Sequence, residues 1–467
     1  MNLAFFLLCL SIVSNVTMAD IKVTQMGDTF VNSIPAEWSV TKGSWQYFDV
    51  KNCWENGSTC YGNNPSSPYG FPNFEALPNQ QILNFKLNSS EAVVIFLRTP
   101  PPLRYFGFSQ YLFTRGGNPE PVFASVGDTL NSLKISTFGS PAPGVNVFNQ
   151  HAILIWSADL TTYDSVKAML IKQGVPEKGI NFIGLPILLP LFMGNSPTSD
   201  TFNMLMRTAF PTVQADYDAY TKENPFYVVK VGLKIPIANN PAPTIDYANE
   251  TSGILESTKN QSMTTLQSAL NNLVNDIKKK YLKDFILKDQ LVNYTEKVGW
   301  DCIAGNGKCN GDNHDALYSL DSLGAIVMAN PKDIVIIAGV NHQKTGKALY
   351  LNHSIYETVK FAGISAVGDS SFLTESALYH AGVTLPKDPK RVQYQNLYAY
   401  IISYNCNGLS YCHQIPTPTA ENPVGLLPGT PFLLIGRSYV DKLTKVRPSV
   451  NEVIKHQIIL GTTRVSP

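Results

Sequence analysis

The sequence predicts an α+β protein of two related, strand-rich lobes from an internal duplication, with a long helix between them. Three observations predict it. Six short motifs recur in the same order in both halves, β-branched and aromatic runs dominate each half, and one stretch between the halves has helical periodicity.

The chain opens on "MNLAFFLLCLSIVSNVTMAD", an apolar run from Leu3 to Val13 followed by polar residues and the small Ala19. This is the layout of a cleaved export signal over 1–19, since a membrane anchor needs roughly 18 or more apolar residues. Secretion, or delivery to the endolysosomal lumen, follows from it. Sequons at Asn56, Asn88, Asn249, Asn260, Asn293 and Asn352 then predict a glycoprotein. The most apolar later stretch, "INFIGLPILLPLFMG", is interrupted by Pro186 and Pro190 and reads as core, so no membrane span is expected. Lys and Arg total 36 against 35 Asp and Glu, a balance that provides no basic face for nucleic acid.

The first lobe is expected over 20–225 and the second over 251–467. A linker over 226–250 ends in the Pro- and Asn-rich "LKIPIANNPAPTIDYANETSG" region. The helix opens the second lobe. In "SMTTLQSALNNLVNDIKKKYLKDFI", Met263, Leu266, Leu270, Leu273, Ile277 and Tyr281 fall on one face, and Lys278 to Lys280 suit the helix C-terminus.

Cys9 leaves with the signal, and the remaining cysteines form close pairs: Cys53 with Cys60, Cys302 with Cys309, Cys406 with Cys412. Local disulfides are the expected reading in an oxidising compartment, and the spacings are wider than zinc ligands use. The first two pairs begin the repeat: "CWENGSTCYGNNPSSPYG" and "CIAGNGKCNGDNHDALYS" share Cys, six residues, Cys, one residue, Gly, one residue, Asn. In order there follow "AVVIFLRT" and "DIVIIAGV", "RYFGFSQYLF" and "KALYLNHSIY", and the glycine-aspartate turns of "VFASVGDTLNS" and "ISAVGDSSFLTES". Next come "NVFNQHAILIWSADL" and "NLYAYIISYNCNGL". The last pair, "MRTAFPTVQADYDAY" and "GRSYVDKLTKVRPSVNEV", puts Arg207 and Arg437 in matching places.

Several constellations could carry chemistry. Gly368-Asp369-Ser370 follows the apolar "FAGISAV", so Ser370 is expected just past a strand. The fragment resembles the Gly-Asp-Ser nucleophile block of the GDSL-type esterases, and that resemblance implies ester hydrolysis with Ser370 as nucleophile. It covers only these residues. The family's block stands near the mature N-terminus and is answered by a late Asp-x-x-His, whereas here His456 in "NEVIKHQ" is the candidate base. The first copy has Thr129 where the second has Ser370.

Asp312, His314 and Asp315 lie within "NGDNHDALY", close enough for acid-base work or a divalent ion, with turn chemistry as the alternative. "GVNHQKTGKALYLNHSIY" predicts a hairpin that brings His342 and His353 together. Arg98, Arg104, Arg207 and Arg437 are candidate anion contacts, with salt bridges as the competing use. No glycine-rich phosphate loop, His-Glu-x-x-His or Gly-x-Ser-x-Gly occurs, and no cofactor or metal is expected. The expectation is a secreted glycoprotein hydrolase acting on ester-type or polymeric substrates outside the cytosol. Its rival is a non-catalytic secreted carbohydrate-binding or matrix glycoprotein.

Overall fold

The computed structural model describes residues 22–57, 59–74, 83–118, 120–186, 191–235, 240–243, 253–296, 299–304, 309–320, 325–368 and 374–464. The fold is α+β and strand-rich. The expected export signal, Asn249, Asp369 and Ser370 lie outside the described residues.

The first half contributes β1 (Trp38–Tyr47), β2 (Tyr69–Asn73), β3 (Glu91–Arg98), β4 (Leu103–Thr114), β5 (Pro121–Ser125), β6 (Leu130–Asn131), β7 (His151–Ser157), β8 (Ile180–Gly184), β9 (Thr201–Pro211) and β10 (Phe226–Leu233). The second contributes β11 (Phe285–Gln290), β12 (Asn293–Thr295), β13 (Ala316–Leu320), β14 (Ile334–Val340), β15 (Tyr350–Glu357), β16 (Gly363–Gly368), β17 (Leu397–Ser403), β18 (Cys412–Gln414), β19 (Phe432–Tyr439) and β20 (Gln457–Thr463). The helices used below are α1 (Val23–Ser33), α2 (Val50–Asn56), α3 (Leu160–Lys172), α4 (Gln214–Glu223), α5 (Met263–Tyr281), α6 (Gly299–Ala304), α7 (His342–Thr345) and α8 (Thr374–His380).

The first half is one sheet in the order β5-β4-β9-β2-β1-β10-β3-β7-β8, with β6 beside β4. It bends at β1, whose Trp38 to Gly43 pair with β10 and whose Ser44 to Tyr47 pair with β2. Gly43 stands at the crossing, where a Cβ would lie 2.8 Å from the Asn73 carbonyl. The second half splits the same path into two sheets, β11-β20-β14-β17-β18 and β12-β13-β19-β15-β16. The last pair of one sheet is parallel in each half, β7 with β8 and β17 with β18. All other pairings are antiparallel among the described residues.

Sequence accounts for the central strands. β14, "IVIIAGV", is buried along its whole length, as a β-branched run covered on both faces must be. One of its faces meets α5, where Leu266, Leu270, Leu273 and Ile277 pack on Ile334, Ile336, Ala338 and Ile459. Ser262 caps α5 by accepting from the Thr265 N–H, and Lys278 to Lys280 sit at its other end. α5 contacts β14, β11 and α8, all of the second half, so it lies on a sheet rather than spanning between halves. α1 covers the first half in the same manner, with Met26 and Phe30 against Val94, Phe96 and Ile155.

Two expectations are corrected. The linker expected over 226–250 begins with β10, a strand held between β1 and β3, because "FYVVKVGL" buries its alternating apolar residues there. The hairpin expected to pair His342 with His353 does not form. β14 pairs with β17 and β20, and β15 with β16 and β19, in different sheets. The Asn341 side chain instead caps α7 through the Gln343 and Lys344 N–H groups, and Gly346 ends that turn at φ 86°. All three local disulfides form.

Leu273, on the face of α5 that packs against β14, is wholly buried. Leu273→Ala is expected to cost about 2–5 kcal/mol, read as a lowered midpoint in denaturant unfolding.

Candidate functional site

The two cysteine loops, each built on a short helix (α2 with Cys53, α6 with Cys302), dock across the boundary between the halves. In one direction the Cys60 and Gly62 N–H groups donate to the Lys360 and Phe361 carbonyls, at 2.6 and 2.9 Å. In the other, the Cys309 and Gly311 N–H groups donate to the Val122 and Phe123 carbonyls, at 2.8 and 2.8 Å. The shared glycine of the motif is thereby explained. Gly62 and Gly311 have φ of 66° and 67°, and a Cβ on either would stand 2.5 Å from the Phe361 ring or 2.7 Å from the Phe123 ring.

The residues that follow continue the exchange. Asn63 Oδ1 accepts from the Gly363 N–H at 2.9 Å, and Asp312 Oδ1 accepts from the Ser125 N–H at 2.9 Å. The Ser125 hydroxyl also donates to Asp312. Burial pushes the Asp312 carboxyl up, and the Ser125 bonds oppose this. Asn64 accepts from Asn352 at 2.9 Å, while Asn313 accepts from the Thr129 hydroxyl at 3.1 Å. Asp315 accepts from the Tyr105 hydroxyl at 2.8 Å and from Asn131 Nδ2. Its carboxyl is pushed up to about 7, chiefly by burial, with Lys134 acting against it. Burial, with Arg447 and Lys134, pushes the neighbouring His314 down to about 3 and so keeps it neutral. Asp312 and Asp315 thus hydrogen-bond to first-half residues.

The other candidate histidines, His342, His353 and His456, lie inside the second half. His353 and His456 meet edge to face at 4.4 Å, a pairing the sequence did not suggest. His353 Nε2 is 2.9 Å from the Tyr398 hydroxyl and His456 Nδ1 is 2.8 Å from the Tyr294 hydroxyl. His342 Nδ1 is 2.7 Å from Glu256, which also accepts from the Thr345 hydroxyl and the Ile454 N–H. His456 and Asp315 therefore have different hydrogen-bond partners, and Ser370, the third member of the expected trio, lies outside the described residues. Among the described residues no group of three or more His, Cys, Asp or Glu is arranged to hold a metal ion.

Asn352 is a correction. It lies on β15 with no exposed surface, and its Nδ2 donates to Asn64 and Ser66, so the nitrogen that a glycan would take is enclosed.

Of the arginines, Arg98 pairs with Glu223 at the end of α4, and Arg104 is exposed on β4. Arg207 and Arg437 are buried at corresponding register positions, opposite Tyr69 on β2 and Tyr318 on β13. Arg207 lies over the Tyr69 and Tyr111 rings at 5.0 and 5.4 Å. Arg437 lies over Tyr318 and Tyr356, both at 5.4 Å. These are cation–π sandwiches between strands. The sequence reading missed the tyrosines, although Tyr69 and Tyr318 stand nine residues after Cys60 and Cys309.

Beside Arg437 lies a cavity of about 240 Å³, walled by the Cys302–Cys309 disulfide, Ile435 and Phe361 of the second half and by Gly62 of the first. Thr295, Asn310 and Tyr318 add polar groups to its wall.

The Asp315 carboxyl sets a pH dependence. The unfolded chain releases this proton near 3.8 and the folded chain near 7, so the stability it contributes is complete below about 3.8 and is lost as pH climbs to about 7. Between pH 4 and 7, the melting temperature of the wild type is expected to fall relative to that of Asp315→Asn. Parallel curves would refute the assignment.

No family model matches the chain, and no curated protein matches it. Two solved structures are similar to it at 11% identity. One is an uncharacterised protein from Burkholderia cenocepacia, with a TM-score of 0.37, 93% of this chain and 86% of that chain covered. The other is the VPA0106 protein from Vibrio parahaemolyticus, with a TM-score of 0.35, 87% of this chain and 93% of that chain covered.

Proposed function

We propose that the chain is an exported, non-catalytic binding glycoprotein, built from two duplicated lobes and taking its ligand at the seam between them. One observation carries the reading. Asp312 and Asp315, two of the carboxylates that the sequence offers for catalysis, are committed to cross-seam hydrogen bonds, while the seam cavity presents a cation, aromatic rings and amide and hydroxyl groups beside Asp312.

Duplication is supported by the matched strand orders, by the parallel pair at the same place in each half, and by the reciprocal docking of the cysteine loops. Local backbone agrees with it. Tyr61 and Asn310 share φ 55°, and Phe123 and Phe361 have φ 48° and 49°, a region that non-glycine residues rarely enter. The carbohydrate form of the binding reading draws less support. Among the described residues the exposed large apolar side chains include only Phe192 and Tyr379 as aromatics, too few for a sugar-stacking face. The cavity is the better-supported place for a ligand.

The test is a pH-stat assay of the purified glycoprotein, from acid to neutral, against simple esters, polyesters and polysaccharide esters. No release above buffer is expected. Release that disappears in Ser370→Ala would overturn the binding reading in favour of serine hydrolysis. Glycopeptide mapping is expected to find Asn352 unmodified, in contrast to the exposed Asn56, Asn260 and Asn293. A glycan on Asn352 would contradict its burial.

A further inference from the structure

The two halves carry corresponding sites, but one is filled and the other open. Beside Tyr69, the ring that Arg207 lies over, the cavity holds only about 10 Å³. Beside Arg437 it holds about 240 Å³. Register gives the reason. Phe48, whose N–H bonds the Tyr69 carbonyl, corresponds to Thr295, which pairs with Tyr318. Tyr61 and Asn310 each follow the second cysteine of their loop at the same positive φ. Phe48 and Tyr61 line the closed site, whereas Thr295 and Asn310 line the open one, so two aromatic rings have given way to small polar side chains.

Charge differs in the same place. Arg207 feels the buried Asp312 carboxylate and donates to the Gly311 carbonyl at 3.0 Å. The residue corresponding to Asp312 on the other arm is the neutral Asn63. Arg437 donates to the Ser354 and Tyr356 hydroxyls, and no carboxylate forms an ion pair with it among the described residues. A guanidinium has more N–H donors than these hydroxyls use, and its planar fork matches a carboxylate. Asp312 also reaches the cavity wall, with its carboxylate held by the N–H and hydroxyl of Ser125. For scale, an apolar cavity of roughly 150 Å³ takes up benzene, so the open site has room for one ring and a charged group.

Building on the binding reading, we propose that the seam cavity of the second half binds a small organic carboxylate. The carboxylate sits on Arg437 and the apolar body lies against Phe361, Leu320 and Ile435.

The test is calorimetric titration of the purified full chain with sodium benzoate, with neutral benzamide and inorganic phosphate at equal ionic strength as comparisons. One benzoate per chain is expected, with benzamide and phosphate each at least about tenfold weaker, since a charge-assisted contact and an apolar wall are both needed. Thr295→Phe, which restores the first half's filling, is expected to abolish binding while keeping the melting temperature, and Asn293→Gln, which removes the same sequon, is expected to leave binding intact. Should that variant misfold, Asn310→Tyr tests the same point at a backbone conformation that Tyr61 already adopts. Absence of benzoate binding, equal binding to the filled variant, or phosphate binding as tight as benzoate would each overturn the assignment. Ester turnover in the pH-stat assay would overturn the binding reading itself, so the two failures are distinguishable.

Discussion

The structure depends on the reciprocal docking of its two cysteine loops. Each loop reaches the opposite half, and each contact needs a glycine in the left-handed region placed against a phenylalanine that is itself at positive φ. Backbone of this kind costs of order 1–3 kcal/mol per non-glycine residue. It persists because the surrounding contacts over-determine it. Short disulfides brace the loops, backbone hydrogen bonds fix their register, and the side chains that follow supply acceptors for groups of the other half. Neither arm has this binding partner within its own half.

From that docking follows the polarity of the seam. Buried polar groups must be matched, because an unmatched one costs its full desolvation. Asn64 accepts from Asn352, Asn313 from Thr129, and Asp315 from Tyr105 and Asn131 across the boundary. The sheets away from the seam are built differently, from β-branched runs under α1 and α5, where apolar burial supplies most of the stabilisation. Docking of the halves therefore combines backbone geometry and hydrogen bonding with a buried aromatic cluster in which Tyr105 meets Tyr350 and Tyr439, while each half's own fold rests on burial of its periodic apolar runs.

This division explains what the sequence made legible. The disulfides, the α5 face, the central strands and the matching of Arg207 with Arg437 are local or periodic features, and local pattern predicts them. The role of Asp312, His314 and Asp315 is not local. Their spacing is equally that of an acid-base cluster, and only the approach of the other half converts Asp312 and Asp315 into acceptors for its donors. The His342–His353 hairpin failed because Asn341 is a helix cap and both flanking strands are buried on two faces, which suits central positions in separate sheets. The early linker boundary had a readable error, since "FYVVKVGL" is itself a strand pattern.

The two halves differ in side chains at matching register places in the core and at the seam. In the first half Trp45 stacks on Phe226 at 4.1 Å and meets Phe108 edge-on. The second half has His353 at the register place of Phe108, since Gly107 and Asn352 are the respective partners of Arg207 and Arg437. There the imidazole packs against His456 and bonds Tyr398, so a polar contact replaces an aromatic stack. At the cavity, Thr295 and Asn310 stand where the first half has Phe48 and Tyr61. A packed core tolerates the loss of large side chains poorly, because the void left behind is costly unless something fills it. The docking contacts correspond on both sides of the seam, so the open site owes its room to the smaller side chains of Thr295 and Asn310. Ligand atoms taking the place of the lost rings would account for a cavity that packing alone disfavours.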